Sequence, residues 1–398
     1  MNSSFNKKIN KKIVLIANTS KYLMHYRFLL INKLNKSYKK LFVISPIDKS
    51  SYELKKISRF VPWYLPNKNQ FNPFDLVKSF LILFNSIRSI KPGLVHSHTL
   101  KPNLLISIIN LFLGVKTIIS FPGMGRLSNS KGIKNIIFKS ILKIIFFTSK
   151  YQLKNYVFFK SNLDRVKFIF QNPLDLNFFL KTVKVKNDKK IFHLIPGSGI
   201  PMNYFKSKKN YTKQLENQFD FIYCARLEKS KGINLFISLA NYYPDSRFFV
   251  YGDLNKNSKD YLSYEEIVFL KSKNKNLLFM DYVENPLLRH HNDHSIFLVP
   301  SNYGEGLPRG IIEAMSLEIP VIASEKACVG LFDENLLFVA SSDQIDTYLM
   351  AIENIRTKKI EGKLNGFLSN SKDHVLKRYK ESLIVKKTIH LYKSFDLD

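Results

Sequence analysis

SNYGEGLPRGIIEAMSLEIPVIAS, residues 301–324, decides the fold of this chain: a glycine-bearing loop runs into an apolar helical pattern and then a short apolar strand. Gly304 and Gly306 let the loop backbone approach a ligand closely with its N–H groups free. Pro308 suits the first turn of a helix, where its missing donor is harmless, and Ile311, Ile312, Ala314, Met315 and Leu317 follow with helical spacing. The N-terminus of that helix, with unpaired N–H groups and the positive end of its dipole, suits a phosphate. Glu305 and Glu313 stand eight residues apart across the junction. Glu313 lies about one and a half turns into the helix, where its carboxylate can accept hydrogen bonds from sugar hydroxyls. Loop, helix and strand in this order form one unit of a doubly wound α/β sheet.

The same alternation extends in both directions. Upstream, residues 219–227, 247–253, 277–283 and 295–301 read as strands, with helices over 234–242, 261–273 and 286–291 between them. In the N-terminal half, strands are predicted at 13–17, 41–45, 94–96 and 117–120, near Val157 and Phe168, and at 193–199. Helices are predicted over 26–34, 74–89, 104–113 and 133–147, and near the C-terminus over 343–355 and 374–392, while the charged block 181–190 reads as a surface loop. A chain of 398 residues exceeds one ordinary core. The expected organisation is an N-terminal Rossmann-like domain (1–205), a Lys-rich linker (206–218), a C-terminal Rossmann-like domain (219–375) and a terminal helix (376–398) packing back on the first domain. Ligands are expected where the strand C-termini of the two halves face one another.

Hydrophobic residues make up 45% of the chain and aromatics 14%, which fits a globular protein. The net charge of +31 has two readings. Of the 62 basic residues 51 are Lys, spread along the chain and accompanied by abundant Asn, Ile and Phe, as an AT-rich coding sequence would produce. The other reading is electrostatic attraction to anionic membranes or phosphate-bearing ligands. A nucleic-acid binder is not expected, because no concentrated basic stripe with interleaved aromatics is present. Cys224 and Cys328 are too few and too far apart for a disulfide framework or zinc site, which fits a reducing cytosol. The apolar run at 13–17 is shorter than a signal-peptide core and reads as the first strand. The most apolar segment, 135–147, is interrupted by Lys139 and Lys143, so no transmembrane helix is expected.

In ARLEKSKGIN, Arg226 lies just past a strand and Lys231 five residues on, before Gly232 and a helix. An Arg binds two oxygens at once and a Lys acts as a point charge, so the pair suits a diphosphate. In VHSHTLKPN, His96 reads as a strand residue. His98 and Lys101 fall in the following loop, where they can contact the donor sugar or the acceptor, or serve the loop alone. In FPGMGRL, Gly123 and Gly125 permit close backbone approach, and Arg126 can meet an acceptor phosphate. The tract RHHNDH at 289–294 reads as a polar helix face, since no second ligand cluster accompanies it and no metal site is expected.

Taken together, ARLEKSKGIN, SNYGEGLPRGIIEAM and IPVIAS resemble the retaining glycosyltransferases of family four, which have the GT-B fold. Upstream, the strand followed by NTS, VHSHTLKPN, SFPGMGRL and IPGSGIPMNYF are similar to the subgroup that builds capsule, O-antigen and other glycans on polyprenyl diphosphate carriers. The resemblance implies that Arg226 and Lys231 hold the diphosphate of a nucleotide sugar, with Glu313 on the ribose and Glu305 against the transferring sugar. Backbone around Gly306, Leu307 and Pro308 would complete the phosphate site, Tyr282 would flank the base, and Gly123 would lie near the diphosphate. Asn18, His98, Lys101 and Arg126 would face the acceptor. It further implies UDP as carrier of the donor, a lipid-linked saccharide as acceptor, no cofactor or metal, and a peripheral place on the cytoplasmic face of the inner membrane. The chain departs from the pattern at Pro122, where relatives have His, at Glu318, a usual Gly, near Asn335, where a Gly-rich turn is missing, and at Pro201 and Met202.

Two carboxylates also suit a hydrolase, and an epimerase or hydrolase on the same fold is the competing reading. Such an enzyme leaves Arg226 and Lys231 without a role unless it binds phosphate. Lys131, Lys134, Lys139, Lys143 and Lys150 border the apolar residues of 136–147, a pattern that suits either an interfacial membrane helix or packing on the sheet.

Overall fold

A computed structural model of the chain describes residues 9–65, 73–125, 132–154, 158–161, 163–207, 218–254, 260–303, 306–328 and 330–395. Glu305, Gly304, Arg126, Lys131 and Val157, and residues 208–217 of the expected linker, lie outside the described residues. The chain divides into two units, one formed by residues through Ser198 together with those from Ile384, the other by Gly199–Leu383.

The first unit contains strands β1 (Ile9–Ile16), β2 (Tyr38–Ser45), β3 (Arg59–Pro62), β4 (Leu94–His98) and β5 (Thr117–Phe121), then β6 (Tyr151–Lys154), β7 (Phe158–Ser161), β8 (Val166–Phe170) and β9 (Phe192–Leu194). Seven form one parallel sheet in the order β3-β2-β1-β4-β5-β8-β9. β6 and β7 pair antiparallel as a separate ribbon, so the expected strand near Val157 does not extend the main sheet. Helices α1 (Ser20–Ser37), α2 (Ser51–Ile57), α3 (Pro73–Ile90), α4 (Leu100–Leu113), α5 (Ile133–Lys150) and α6 (Pro173–Val183) connect the strands. Side chains alternate across β1: Val14 and Ile16 enter a core with Trp63, Leu83 and Ile87, while Ile13, Leu15 and Ala17 enter another with Leu23, Ile31 and Leu34. A strand apolar on both faces must be covered on both, as parallel sheets are. The surface loop expected over 181–190 gives way at its start to α6, whose Asn172 N-cap accepts from Asp175 N–H at 2.7 Å and whose first turn holds Pro173.

The second unit begins with α7 (Met202–Lys206), where Ile200 and Tyr204 are buried beside Ile222, Phe297 and Ile312. It continues with β10 (Asp220–Cys224), α8 (Ile233–Tyr242), β11 (Arg247–Tyr251), α9 (Tyr264–Lys273), β12 (Leu277–Phe279), α10 (Pro286–Arg289) and β13 (Ser295–Val299). It closes with α11 (Arg309–Ser316), β14 (Val321–Ser324), α12 (Glu325–Cys328), β15 (Phe338–Ala340), α13 (Ile345–Ile360) and α14 (Leu364–Tyr379). Its parallel sheet has the order β12-β11-β10-β13-β14-β15. Chain progression reverses between β10 and β13 in this sheet, and between β1 and β4 in the first. Each reversal opens a crevice at the strand C-termini, where doubly wound sheets bind ligands.

The helix expected over 374–392 is two helices, α14 and α15 (Glu381–Lys393), broken at Lys380. Ile200 N–H donates to Tyr379 C=O at 2.7 Å and Glu381 N–H to Ile200 C=O at 3.0 Å, so backbone groups that would continue the helix bond to the backbone of Ile200 in an isolated bridge instead. Gly199 allows that approach, since a Cβ there would lie 2.5 Å from Glu381 Cα. From Ile384 onward α15 belongs to the first unit, and Ile384, Val385, Leu391, Tyr392 and Phe395 are buried in its core. Glu318 adopts a left-handed φ of 55°, the conformation for which the resemblance expects Gly, and Lys372 Nζ meets its carboxylate at 2.9 Å. A side chain in that region costs about 1 kcal/mol, which the partly buried ion pair offsets only in part.

Candidate active site

The loop leaving β10 carries Arg226 and Lys231, and the loop leaving the adjacent β13 leads to α11. The Arg226 Nη1 donates to Glu228 Oε1 at 2.8 Å; the arginine side chain is 52% exposed and that of the glutamate 0%. The ion pair thus ties one terminal nitrogen of the guanidinium, while about half of the side chain stays open to solvent. Lys229–Lys231 form a 3-10 turn anchored by Asp260, which accepts from Ser230 N–H at 3.1 Å, and Gly232 ends the turn at φ 78°. A Cβ on Gly232 would lie 1.9 Å from Pro300 O, so only glycine lets the two loops close on each other. Asn302 N–H donates to Ser230 C=O at 3.1 Å, and Lys231 Nζ lies 4.7 Å from the centre of the Tyr303 ring. Lys231 therefore sits beside the loop that leads to α11, with Arg226 earlier in the same loop after β10.

Helix α11 starts after Pro308, which is buried at the N-cap. Ile311, Ile312 and Met315 are at most 1% exposed, and each contributes roughly 1.5–3 kcal/mol by leaving water. Gly310 rides over Phe297, whose ring would be 2.8 Å from a Cβ there. This packing fixes the rotation of the helix and the direction of Glu313. Arg309 Nε donates to Glu313 Oε1 at 2.7 Å across one turn, with side chains 20% and 16% exposed. The Tyr204 hydroxyl donates to Asn285 Oδ1 at 2.9 Å; the Glu313 carboxylate is the other acceptor near it, and its single proton serves one of the two at a time. Burial pushes the Glu313 carboxyl above the ordinary range, opposed by the Arg309 charge and the hydrogen bonds from Arg309 and Tyr204. Gly306 and Leu307 are half-buried, and Tyr282, past β12, is 72% exposed.

In the first unit, Asn18 follows β1 and is half-buried. His98 closes β4, paired in register with Ser120, and is fully buried instead of lying in a loop. Neither of its ring nitrogens has a hydrogen-bond partner, and burial, with His96 and Arg27 nearby, holds it well below the ordinary histidine range. His96 bonds the Tyr392 hydroxyl at 2.5 Å and Ser120 Oγ at 2.6 Å. Thr99 is strained at φ 72°, and Lys101 lies in the first turn of α4, also not in a loop. Gly123 has φ 145°, and the next residue, Met124, donates its N–H to Asp175 Oδ2 at 3.2 Å. Burial pushes the Asp175 carboxyl up to about 6 despite that bond and one from Asn172. Asp175 thus anchors the glycine loop to α6. Tyr204, Asn285, Arg309 and Asp175 were not among the expected site residues.

Residues 205–331 match the family model described as Glycosyl transferases group 1, and residues 12–155 the model described as Glycosyl transferase 4-like. The chain is a GT-B glycosyltransferase. It is 26% identical over 328 residues to the capsular polysaccharide biosynthesis glycosyltransferase CapM of Staphylococcus aureus, covering 79% of each chain. To the uncharacterized glycosyltransferase MJ1059 of Methanocaldococcus jannaschii it is 27% identical over 306 residues, 71% of each. The fold is similar to that of Anabaena Alr3699/HepE, solved in complex with UDP-glucose, with a TM-score of 0.70 at 15% identity over 97% of this chain and 100% of that one. These similarities do not favour an epimerase or hydrolase. In the glycosyltransferase His290 bonds the Tyr251 hydroxyl at 2.7 Å and His291 bonds Ser207 Oγ at 3.0 Å, so both serve the packing of α10. Among the described residues no three His, Cys, Asp or Glu side chains are grouped to hold a metal ion, and no helix is long and apolar enough to cross a membrane.

Proposed function

We propose that the enzyme is a retaining glycosyltransferase of family four that transfers a sugar from a UDP-sugar to a saccharide on a polyprenyl diphosphate carrier. The observation that carries this reading is the convergence of Arg226, Lys231 and the start of α11 at the switch point of the second sheet, where Gly232 packs on Pro300. Departure of UDP develops negative charge on the diphosphate, and these groups are suited to stabilise it without a metal. Glu313 accepts from the ribose, Tyr282 flanks the base, Gly306 and Leu307 offer backbone N–H groups to the phosphate, and Glu305 lies against the sugar. Asn18, Lys101 and Arg126 receive the acceptor, while His98, fully buried, serves the end of β4 behind them. UDP-glucose bound by the Anabaena protein and the capsular role named for CapM support the donor and acceptor classes.

The test is product analysis with a panel of UDP-sugars and polyprenyl diphosphate saccharides. Transfer is expected with the donor's anomeric configuration kept in the product, and Glu305→Gln is expected to lower turnover about 10²-fold. An inverted product, or donor hydrolysis unaffected by acceptor, would overturn the reading.

We also propose that α5 rests on an anionic membrane surface at the cytoplasmic face of the inner membrane. Ile133, Ile136, Ile137, Ile144 and Phe147 are 75%, 65%, 54%, 43% and 62% exposed, interleaved with exposed Lys134, Lys139 and Lys143. An apolar stripe bordered by lysines suits a lipid interface. The protein is expected to float with vesicles rich in phosphatidylglycerol at low salt, and Ile137→Asp with Phe147→Asp to abolish it. Flotation of that double variant at the wild-type level would count against α5.

A further inference from the structure

We infer that Arg309 and Tyr204 are positioning residues for the donor site. Together they hold the Glu313 carboxylate in the orientation that accepts ribose hydroxyls, and so set the preference for a ribose over a deoxygenated sugar. The inference rests on the assignment of Glu313 to the ribose proposed above.

Glu313 is a partly buried carboxylate with partners on two elements. Arg309, at the start of the same helix, donates through Nε at 2.7 Å. That nitrogen sits on the stem of the guanidinium, so the contact fixes the side chain close to its root. Tyr204 comes from α7 and is 2% exposed, and its one hydroxyl proton is shared between two acceptors, Asn285 Oδ1 at 2.9 Å and the Glu313 carboxylate, so that it bonds one at a time. A carboxylate gripped from two sides keeps one orientation, and ribose hydroxyls then meet a fixed acceptor whose reorganisation has been completed in advance. Burial alone drives the Glu313 carboxyl towards its neutral form, which offers a hydroxyl donor in place of one acceptor. Arg309 and Tyr204 oppose that drift.

The experiment is calorimetric titration of the full chain with UDP, GDP and ADP, each against its 2′,3′-dideoxy counterpart, with thermal unfolding measured in parallel. For the nucleotide that binds best, the wild type is expected to prefer the ribose form by about 10-fold or more, as loss of hydrogen bonds to a charged group implies. Arg309→Met and Tyr204→Phe are expected to reduce that preference to about 3-fold or less, with Arg309→Lys intermediate. Glu313→Gln is expected to remove it. Loss of stability alone weakens both nucleotides alike and leaves their ratio unchanged. If Arg309→Met does not fold, Arg309→Lys and Tyr204→Phe carry the same comparison. Abolished preference in Glu313→Gln beside wild-type preference in the Arg309 and Tyr204 variants overturns this inference and leaves the ribose assignment standing. Preference retained in Glu313→Gln, or no binding of any nucleoside diphosphate by the wild type, overturns the ribose assignment and this inference with it.

Discussion

Lys231→Ala is expected to lower kcat by about 10²- to 10³-fold while the protein keeps its fold. Removal of a single donor aimed at charge developing in a transition state has effects of that size. The half-buried lysine contacts the ring of Tyr303, itself 8% exposed, at 4.7 Å, a cation–π pair worth roughly 1–2 kcal/mol, a loss the unit is expected to survive folded. Arg226 is the less clean choice. Arg226→Ala would strip a 2.8 Å partner from Glu228, whose side chain is 0% exposed, and an abandoned buried carboxylate destabilises independently of catalysis. Steady-state turnover of Lys231→Ala, with its unfolding midpoint, separates the two effects. Wild-type kcat in this variant would take Lys231 out of the diphosphate site.

Gly232→Ala is expected to be the most damaging single-methyl change in the second unit. A left-handed φ of 78° costs an alanine about 1 kcal/mol. The new Cβ would also lie 1.9 Å from Pro300 O, a backbone atom that can yield only if β13 or its loop moves. Together these amount to roughly 3–5 kcal/mol, or a fall of about 10 °C in unfolding midpoint. Gly362→Ala is the control, since φ there is 69° but nothing lies within 4 Å of the added carbon. A fall in Gly232→Ala no greater than in Gly362→Ala would show that the loops are not closed on each other by this glycine. Turnover is expected to fall as well, because Lys231 moves with the turn that Gly232 ends.

Arg226, Lys231 and Glu313 were legible in the sequence because their chemistry is local. Each stands at a fixed offset from a strand end or helix start that a change of hydrophobic period reveals. Tyr204 and Asn285 were not legible, because Tyr204 comes near Glu313, and Asn285 near Tyr204, only after residues distant in the chain have packed together. Arg309 stands four residues before Glu313, the spacing of an ion pair on one helix face, so that local signal was present in the sequence. His98 was misplaced into a loop because apolarity ends at Val95, whereas pairing with β5 carries the strand through His98 against Ser120. The Asn172-Pro173 pair announced α6 in the language of caps, but the charged residues that follow masked it. The break at Lys380 has neither Gly nor Pro to signal it. Its cause is the backbone of Ile200, and no local pattern reports such a partner.

The chain leaves its first unit at Ser198 and returns to it at Ile384, and the return supplies Leu391, Tyr392 and Phe395 to the first core. During synthesis the ribosome therefore releases the unit that starts first without its last helix. The second unit, contiguous from Gly199 to Leu383, has its whole sequence available earlier and is placed to fold ahead of it. Until the C-terminal segment emerges, His96 lacks Tyr392 and the first sheet lacks part of its cover. A nascent chain stalled before Ile384 should therefore present a completed second unit joined to an unfinished, protease-sensitive first unit.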